Sequence, residues 1–224
     1  MSTAPPSAVE VNPAIAPTAT VIALHGLGAD GHDLASLVQE LDLPARHGVR
    51  FVCPHAPHRP ITLNNGYVMR AWFDIVSLGS AQREDEAGLR ESEHLIHALM
   101  RREIDAGIDA RRIVLAGFSQ GGALALYAGL RYAERLAGLV ALSSWLPLAA
   151  HVRNEAHPAN AGLPIFMGHG MQDTIVPPAA GMRARDALEE LGYAVTWRSY
   201  MMGHTLCAAE IQDVSNWLTR VLEL

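Results

Sequence analysis

Residues 113–122 read IVLAGFSQGG. Ile113–Ala116 is a short apolar run of the kind that builds a strand buried on both faces. Ala123–Leu130 is apolar again and long enough for helical turns. Ser119 stands between the two, with Gly117 before it and Gly121 after it. In a G-x-S-x-G turn the serine takes a strained backbone conformation, and the glycines let neighbouring main chain pass without a Cβ clash. The helix that follows directs free N–H groups toward the serine's surroundings. The decapeptide therefore reads as a nucleophile carried at the carboxyl end of a buried strand. The competing reading is a glycine-rich strand-to-helix turn with an incidental serine.

A serine hydroxyl is a poor nucleophile unless a base takes its proton. In an arrangement of this kind the partners follow in the order serine, acid, histidine, at the carboxyl ends of later strands. After Ser119 the histidines are His151, His157, His169 and His204. His151 and His157 fall in a polar stretch, HVRNEAHPAN, and are expected in solvent. His204, in MMGHTL, lies between the apolar run Val195–Tyr200 and the last helical segment, where a base belongs. Between Ser119 and His204 the aspartates are Asp173 and Asp186. Asp186 sits inside the helix-like RARDALEELG and reads as a solvated charge. Asp173, in HGMQDTIV, follows the run Pro164–His169 and is placed to fix the histidine's tautomer.

An attacking serine also needs donors for the oxyanion. One is expected from the N–H of Gln120, the residue after the nucleophile, and the other from a loop after an early strand. Residues 25–31, HGLGADG, supply such a loop. They also spell a literal G-x-G-x-x-G after the strand-like Thr20–Leu24, where a dinucleotide-binding fold holds its pyrophosphate. That fold places an acid at the end of the next strand for the ribose. The next strand here ends RFVCPH and offers none. The glycines are better explained by turns that present the N–H of Leu27, with Gly31 as a turn residue ahead of a helix from Asp33.

Around these motifs, β-like and helix-like segments alternate. Strands are expected at Thr20–His25, Val49–Cys53, Ile113–Gly117, Leu139–Ser143, Pro164–His169 and Val195–Tyr200. Helices are expected at Asp33–Leu43, Arg83–Ile104, Gly121–Arg131, Ala179–Leu191 and Leu206–Leu224. This alternation implies an α/β fold with a mostly parallel central sheet covered by helices on both faces. Residues 1–19 read as an N-terminal extension or edge strand, and residues 20–224 as one domain. Pro54–Leu78 has no convincing period and is long for a connection, a common property of loops that fold over a site.

Composition narrows the function classes. Of 224 residues, 50% are apolar, enough for a large single core. A formal net charge of −6 with interspersed signs argues against nucleic acid and against a basic membrane patch. The N-terminal stretch lacks a signal-peptide pattern, the longest apolar region is broken by Arg131, Glu134 and Arg135, and two cysteines make no disulfide framework. The expectation is a cytoplasmic protein with no stable membrane insertion. No metal or cofactor site is promoted: CPHAPH (Cys53, His55, His58) has ligand-like spacing but no second cluster. His25 and His169, each before a glycine at a strand end, are expected to anchor their loops. Solvent-side apolar residues could support a homodimer, but nothing specifies one.

The motifs HGLGAD, FVCPHAP, RPITLNNGY, AWFDI, GIDARRIVLAGFSQGGA, LSSWLP, HGMQDTIVP and MGH, in this order, resemble the carboxylesterase/acyl-protein thioesterase group of α/β-hydrolases, also called the phospholipase/carboxylesterase family. The resemblance runs from about Thr20 to Leu218. It implies an α/β-hydrolase fold, a triad of Ser119, Asp173 and His204, and oxyanion N–H groups from Leu27 and Gln120. It also implies an acyl channel along Leu63, Met69, Trp72 and Phe73, with Trp145 and Val176 among the substrate contacts. The sequence departs from the family in having Arg70-Ala71 where relatives often have Pro-Ser, and Trp145 where a smaller aromatic is common. The implied activity is hydrolysis of small carboxylic (acyl) esters, with thioesters as a further substrate class, through an acyl-enzyme. The alternative is an acyl-protein thioesterase or lysophospholipase acting on long acyl chains.

Overall fold

The computed structural model describes residues 5–76 and 84–224. Its centre is a seven-stranded sheet in the order β1-β3-β2-β6-β7-β8-β9. The strands are β1 (Ala8–Val11), β2 (Ala19–Leu24), β3 (Val49–Pro54), β6 (Ile113–Phe118), β7 (Gly138–Leu142), β8 (Pro164–Gly170) and β9 (Ala194–Tyr200). β1 runs antiparallel to β3 along the sheet edge, and every other pairing in this sheet is parallel. A separate antiparallel pair, β4 (His58–Ile61) and β5 (Tyr67–Arg70), stands apart from it.

The apolar runs become central strands because both of their faces are covered. In β2, Val21 faces one side while Ile22 and Leu24 face the other; in β6, Val114 opposes Ile113 and Leu115. The larger core lies under α2 (Glu86–Asp105), α3 (Gln120–Arg131) and α5 (Pro178–Glu190), and includes Leu89, Ile96, Leu99, Leu126 and Leu188. The second lies toward α6 (Ala208–Val221), where Val214, Trp217 and Leu218 pack on Phe51, Val140 and Phe166. α1 (Gly31–Leu37) covers β2 and β3. Among the described residues no helix is long and apolar enough to cross a membrane.

Helix ends follow local chemistry. The Asp85 carboxylate caps α2 through the Gly88 N–H, and Asp30 and Asp33 form a reciprocal capping box at α1. α1 therefore starts at Gly31, two residues before the expected Asp33, and gives way to a short 3₁₀ turn over Val38–Glu40. Gly31 is a helical residue seated on β3: a Cβ there would lie 2.2 Å from the Cys53 carbonyl oxygen. The polar stretch expected in solvent begins within α4 (Ala149–Glu155); His151 is exposed, but His157 is half-buried. Pro54–Leu78 contains the β4–β5 hairpin rather than unstructured chain. Leu78 and Arg83, two of the expected boundaries, lie outside the described residues.

Candidate active site

Ser119 sits between β6 and α3 with φ +55° and ψ −119°, a conformation seldom adopted by a residue with a side chain. Close packing holds it there. A Cβ on Gly121 would lie 2.0 Å from the Leu24 carbonyl oxygen, and one on Gly117 would lie 2.3 Å from the Gly121 backbone. The Ser119 N–H donates to the Leu142 carbonyl at 2.8 Å, and its own carbonyl accepts from Ser144 Oγ at 2.9 Å. Neighbouring strands thus clamp the turn, and the hydroxyl is presented at the carboxyl edge of the sheet.

His204, on the loop after β9, reaches that hydroxyl: its Nε2 lies 2.9 Å from Ser119 Oγ. Its Nδ1 lies 2.7 Å from Asp173 Oδ2. A carboxylate can only accept, so Nδ1 carries the proton and Nε2 is left as the acceptor facing the serine. Asp173 is itself fixed, because its Oδ1 accepts from the N–H groups of Ile175 and Val176, both at 2.9 Å. Ser119 and Asp173 are buried, at 9% and 3% exposure. The structure therefore brings together, in one hydrogen-bonded line, three residues separated by up to 85 positions in sequence.

Buried histidines brace the surrounding loops. His169 Nε2 lies 2.9 Å from the Val176 carbonyl and 3.6 Å from Asp173 Oδ2, and its ring stacks on Trp197. His25 is fully buried; its Nδ1 donates to the Gly26 carbonyl at 2.7 Å and its Nε2 accepts from the Ala56 N–H at 3.0 Å. Burial lowers the pKa of both rings, which favours neutral imidazoles fixed as loop anchors.

The HGLGADG loop runs beside the serine. A Cβ on Gly26 would lie 3.5 Å from Ser119 Cβ, and Gly28 takes φ +78°, a turn conformation that favours glycine. Gly28 N–H donates to the Arg70 carbonyl, Ala29 N–H to the Gly26 carbonyl, and Gly31 N–H to His55 Nδ1. The loop's amides are spent on the protein in a way that a pyrophosphate cradle would not allow. Among the described residues, the N–H groups of Leu27 and Gln120 have no protein acceptor. The Gln120 side chain was not anticipated. Its Oε1 accepts from Trp72 N–H at 2.9 Å and its Nε2 donates to the Phe73 carbonyl at 2.7 Å.

The expected channel residues divide. Leu63 is exposed, and Met69 is half-buried with its sulfur 3.6 Å from where a Gly28 Cβ would stand. Trp145 is half-buried and meets Phe73 edge-on at 6.2 Å. Trp72, expected to line the channel, is instead wholly buried: its indole N–H donates to the His25 carbonyl and its own carbonyl accepts from Ser92 Oγ. It ties the start of the HGLGADG loop to α2. Phe73 and Val176 are largely buried, and the Val176 backbone serves Asp173 and His169. Arg70 spends one guanidinium N–H on the Ala56 carbonyl at 2.8 Å, bracing β5.

Metal-binding chemistry is weak among the described residues. Burial pushes the Cys53 thiol up to about 12, far from a thiolate ligand. Glu86, His151 and Glu155 come within 4.8 Å of one another. However, Glu155 already accepts from Arg90 and Arg131, and Glu86 from Arg90. That cluster is an ion-pair network.

Residues 6–222 match the family model described as Phospholipase/Carboxylesterase. The chain is 45% identical to acyl-protein thioesterase 1 of Neurospora crassa over 92% of its length and 87% of that protein. Among solved structures it is similar to Zea mays acyl-protein thioesterase 2, with a TM-score of 0.87, 33% identity, and coverage of 97% of this chain and 99% of that one. It is also similar to esterase PE8, at a TM-score of 0.81, 27% identity, and coverage of 97% and 100%. The chain belongs to the phospholipase/carboxylesterase family and is a serine hydrolase with the α/β-hydrolase fold.

Proposed function

We propose that Ser119, His204 and Asp173 form the catalytic triad of a thioesterase that removes long acyl chains from protein cysteines. The observation that carries the mechanism is the continuous line from Ser119 Oγ through His204 to Asp173, at 2.9 and 2.7 Å. His204 Nε2 takes the hydroxyl proton as Ser119 Oγ attacks the acyl carbon, and Asp173 stabilises the imidazolium. The oxyanion forms against the N–H groups of Leu27 and Gln120, each contributing about 3 kcal/mol to the transition state. Collapse expels the thiolate as His204 returns the proton. A water activated by His204 then releases the acid from Ser119.

The substrate class rests on two supports. The relatives at 45% and 42% identity are named acyl-protein thioesterases. Apolar side chains also stand exposed near the triad residues in sequence: Met171 and Ile175 flank Asp173, and Met201 precedes His204. Their exposure leaves apolar side chains on the loops that carry Asp173 and His204, which supports an acyl chain as the group bound. A second reading, a carboxylesterase acting on shorter esters, is favoured by the likeness to a protein named esterase. Its chemistry differs only in the leaving group. The free cysteines Cys53 and Cys207 agree with action in the reducing cytoplasm.

The test is a panel of acyl-cysteinyl peptides and p-nitrophenyl esters with chains from acetyl to palmitoyl. The thioesterase reading expects kcat/KM to rise with chain length and thioester turnover to be efficient. A sharp optimum at short esters with no thioester turnover selects the carboxylesterase instead.

A further inference from the structure

The N–H of Leu27 belongs to the peptide group whose carbonyl is that of Gly26. A trans peptide group is planar, and its C=O and N–H leave opposite edges of the plane. No cis peptide bond occurs among the described residues. Whatever fixes the Gly26 carbonyl therefore aims the Leu27 N–H. This segment needs an outside hold, because Gly26 and Gly28 on either side of Leu27 impose little steric restraint of their own. It also stands beside the nucleophile: a Cβ on Gly26 would lie 3.5 Å from Ser119 Cβ.

The hold comes from the side chain of His25. The imidazole is wholly buried, and its Nδ1 lies 2.7 Å from the Gly26 carbonyl oxygen. Its Nε2 accepts from the Ala56 N–H at 3.0 Å, so Nδ1 is the nitrogen that carries the proton. The ring packs against Trp72 at a centroid distance of 5.2 Å, and the Trp72 indole N–H donates to the His25 carbonyl. Ala29 N–H gives the Gly26 carbonyl a second donor at 3.2 Å. Two donors on one carbonyl polarise the peptide group and strengthen its N–H as a donor in turn.

We propose that His25 is a positioning residue of the hydrolytic reaction: its Nδ1–H, bonded to the Gly26 carbonyl, aims and polarises the Leu27 N–H for the oxyanion. The inference rests on the reading of Leu27 as an oxyanion donor. It gives His25 a part in transition-state stabilisation beyond anchoring its loop, while Ser119 and His204 carry the bond changes.

The test adds 1,1,1-trifluorooctan-2-one to protein labelled with ¹⁵N-histidine. Ser119 Oγ bonds to the ketone carbon, its proton passes to His204 Nε2, and the C=O π pair becomes an alkoxide that mimics the oxyanion. Leu27 N–H donates to the alkoxide, which makes the Gly26 carbonyl a better acceptor. The expected result is a downfield shift of the His25 Nδ1–H proton, assigned through the ring's Overhauser contacts with Trp72. Addition of the ketone with that proton unmoved overturns the inference and leaves the serine mechanism standing. Failure of the ketone to add to Ser119 overturns both.

Two variants separate aim from anchorage. A glutamine amide reaches the Nε2 position and an asparagine amide the Nδ1 position. His25→Gln thus keeps a partner for Ala56, and His25→Asn keeps a donor to Gly26. On p-nitrophenyl butyrate, His25→Gln should lower kcat about a hundredfold with KM changed by no more than about twofold. His25→Asn should have a kcat about tenfold above that of His25→Gln, even where it is the less stable variant. Equal kcat in the two variants, or kcat that follows their stabilities, overturns the inference. If neither variant folds, the proton shift in the unmodified chain decides alone.

Discussion

At the residue scale, the site depends on atoms that hold other atoms in place. Asp173 fixes the imidazole by accepting from Nδ1, while two backbone N–H groups occupy its other oxygen. Asp173→Asn preserves the shape but can donate to Nδ1, which then gives up its proton to Nε2 and leaves no acceptor for the serine. We expect kcat to fall about 10⁴-fold with little change in KM, read by steady-state kinetics on a p-nitrophenyl ester. Gln120 shows what the motif concealed. Its position predicted the backbone donor, whereas the side chain clamps Trp72 and Phe73. Gln120→Leu strands a buried N–H and a buried carbonyl. Thermal or urea unfolding should show a loss of about 2–4 kcal/mol, with a drop in kcat from a loosened elbow. The hydrogen-bonded line of Ser119, His204 and Asp173 was legible because each member follows a strand-like run. The clamp was not, since a glutamine's partners forty-seven and forty-eight residues away leave no trace in local pattern.

At the scale of elements, periodicity located the buried strands and long helices but missed pieces held by tertiary contact. β1 has only four residues and owes its form to pairing with β3. The hairpin β4–β5 lacks an apolar period because it stands off the main sheet. Trp72, placed by resemblance at the channel, is drawn into the core by two hydrogen bonds that sequence cannot display. α6 supplies the prediction proper to this scale. Glu210 is buried in its first turn, and Asp213, which accepts from Tyr200 Oη at 2.8 Å, lies one turn on. A carboxyl whose pKa is raised on folding binds its proton more tightly in the folded state. The stability it contributes is complete below the unfolded value near 4.5 and is lost as pH rises through about 8. Glu210→Gln removes that dependence. Denaturant unfolding from pH 5 to pH 8 should therefore show the wild type losing stability relative to the variant. Parallel curves would contradict it.

At the scale of the whole molecule, a largely parallel sheet delivers Ser119, Asp173 and His204 to one edge from the ends of β6, β8 and β9. Parallel strands all end on the same side, so residues just after them gather there whatever their distance in sequence. That is why the order serine, acid, histidine carried so much information. The G-x-G-x-x-G at residues 26–31 lies on the same edge, after β2, and a short pattern cannot tell a phosphate loop from an oxyanion loop. Its neighbours argue against a phosphate, since the amides of Gly28, Ala29 and Gly31 are bonded within the protein. Leaving-group and chain-length preference are not written in the proposed triad, whose acyl-transfer chemistry suits esters and thioesters alike. The central claim, nucleophilic catalysis by Ser119, is tested most directly by the rate of p-nitrophenyl butyrate hydrolysis by folded Ser119→Ala. The account predicts a loss of about 10⁴-fold or more, and a rate equal to the wild type would contradict it.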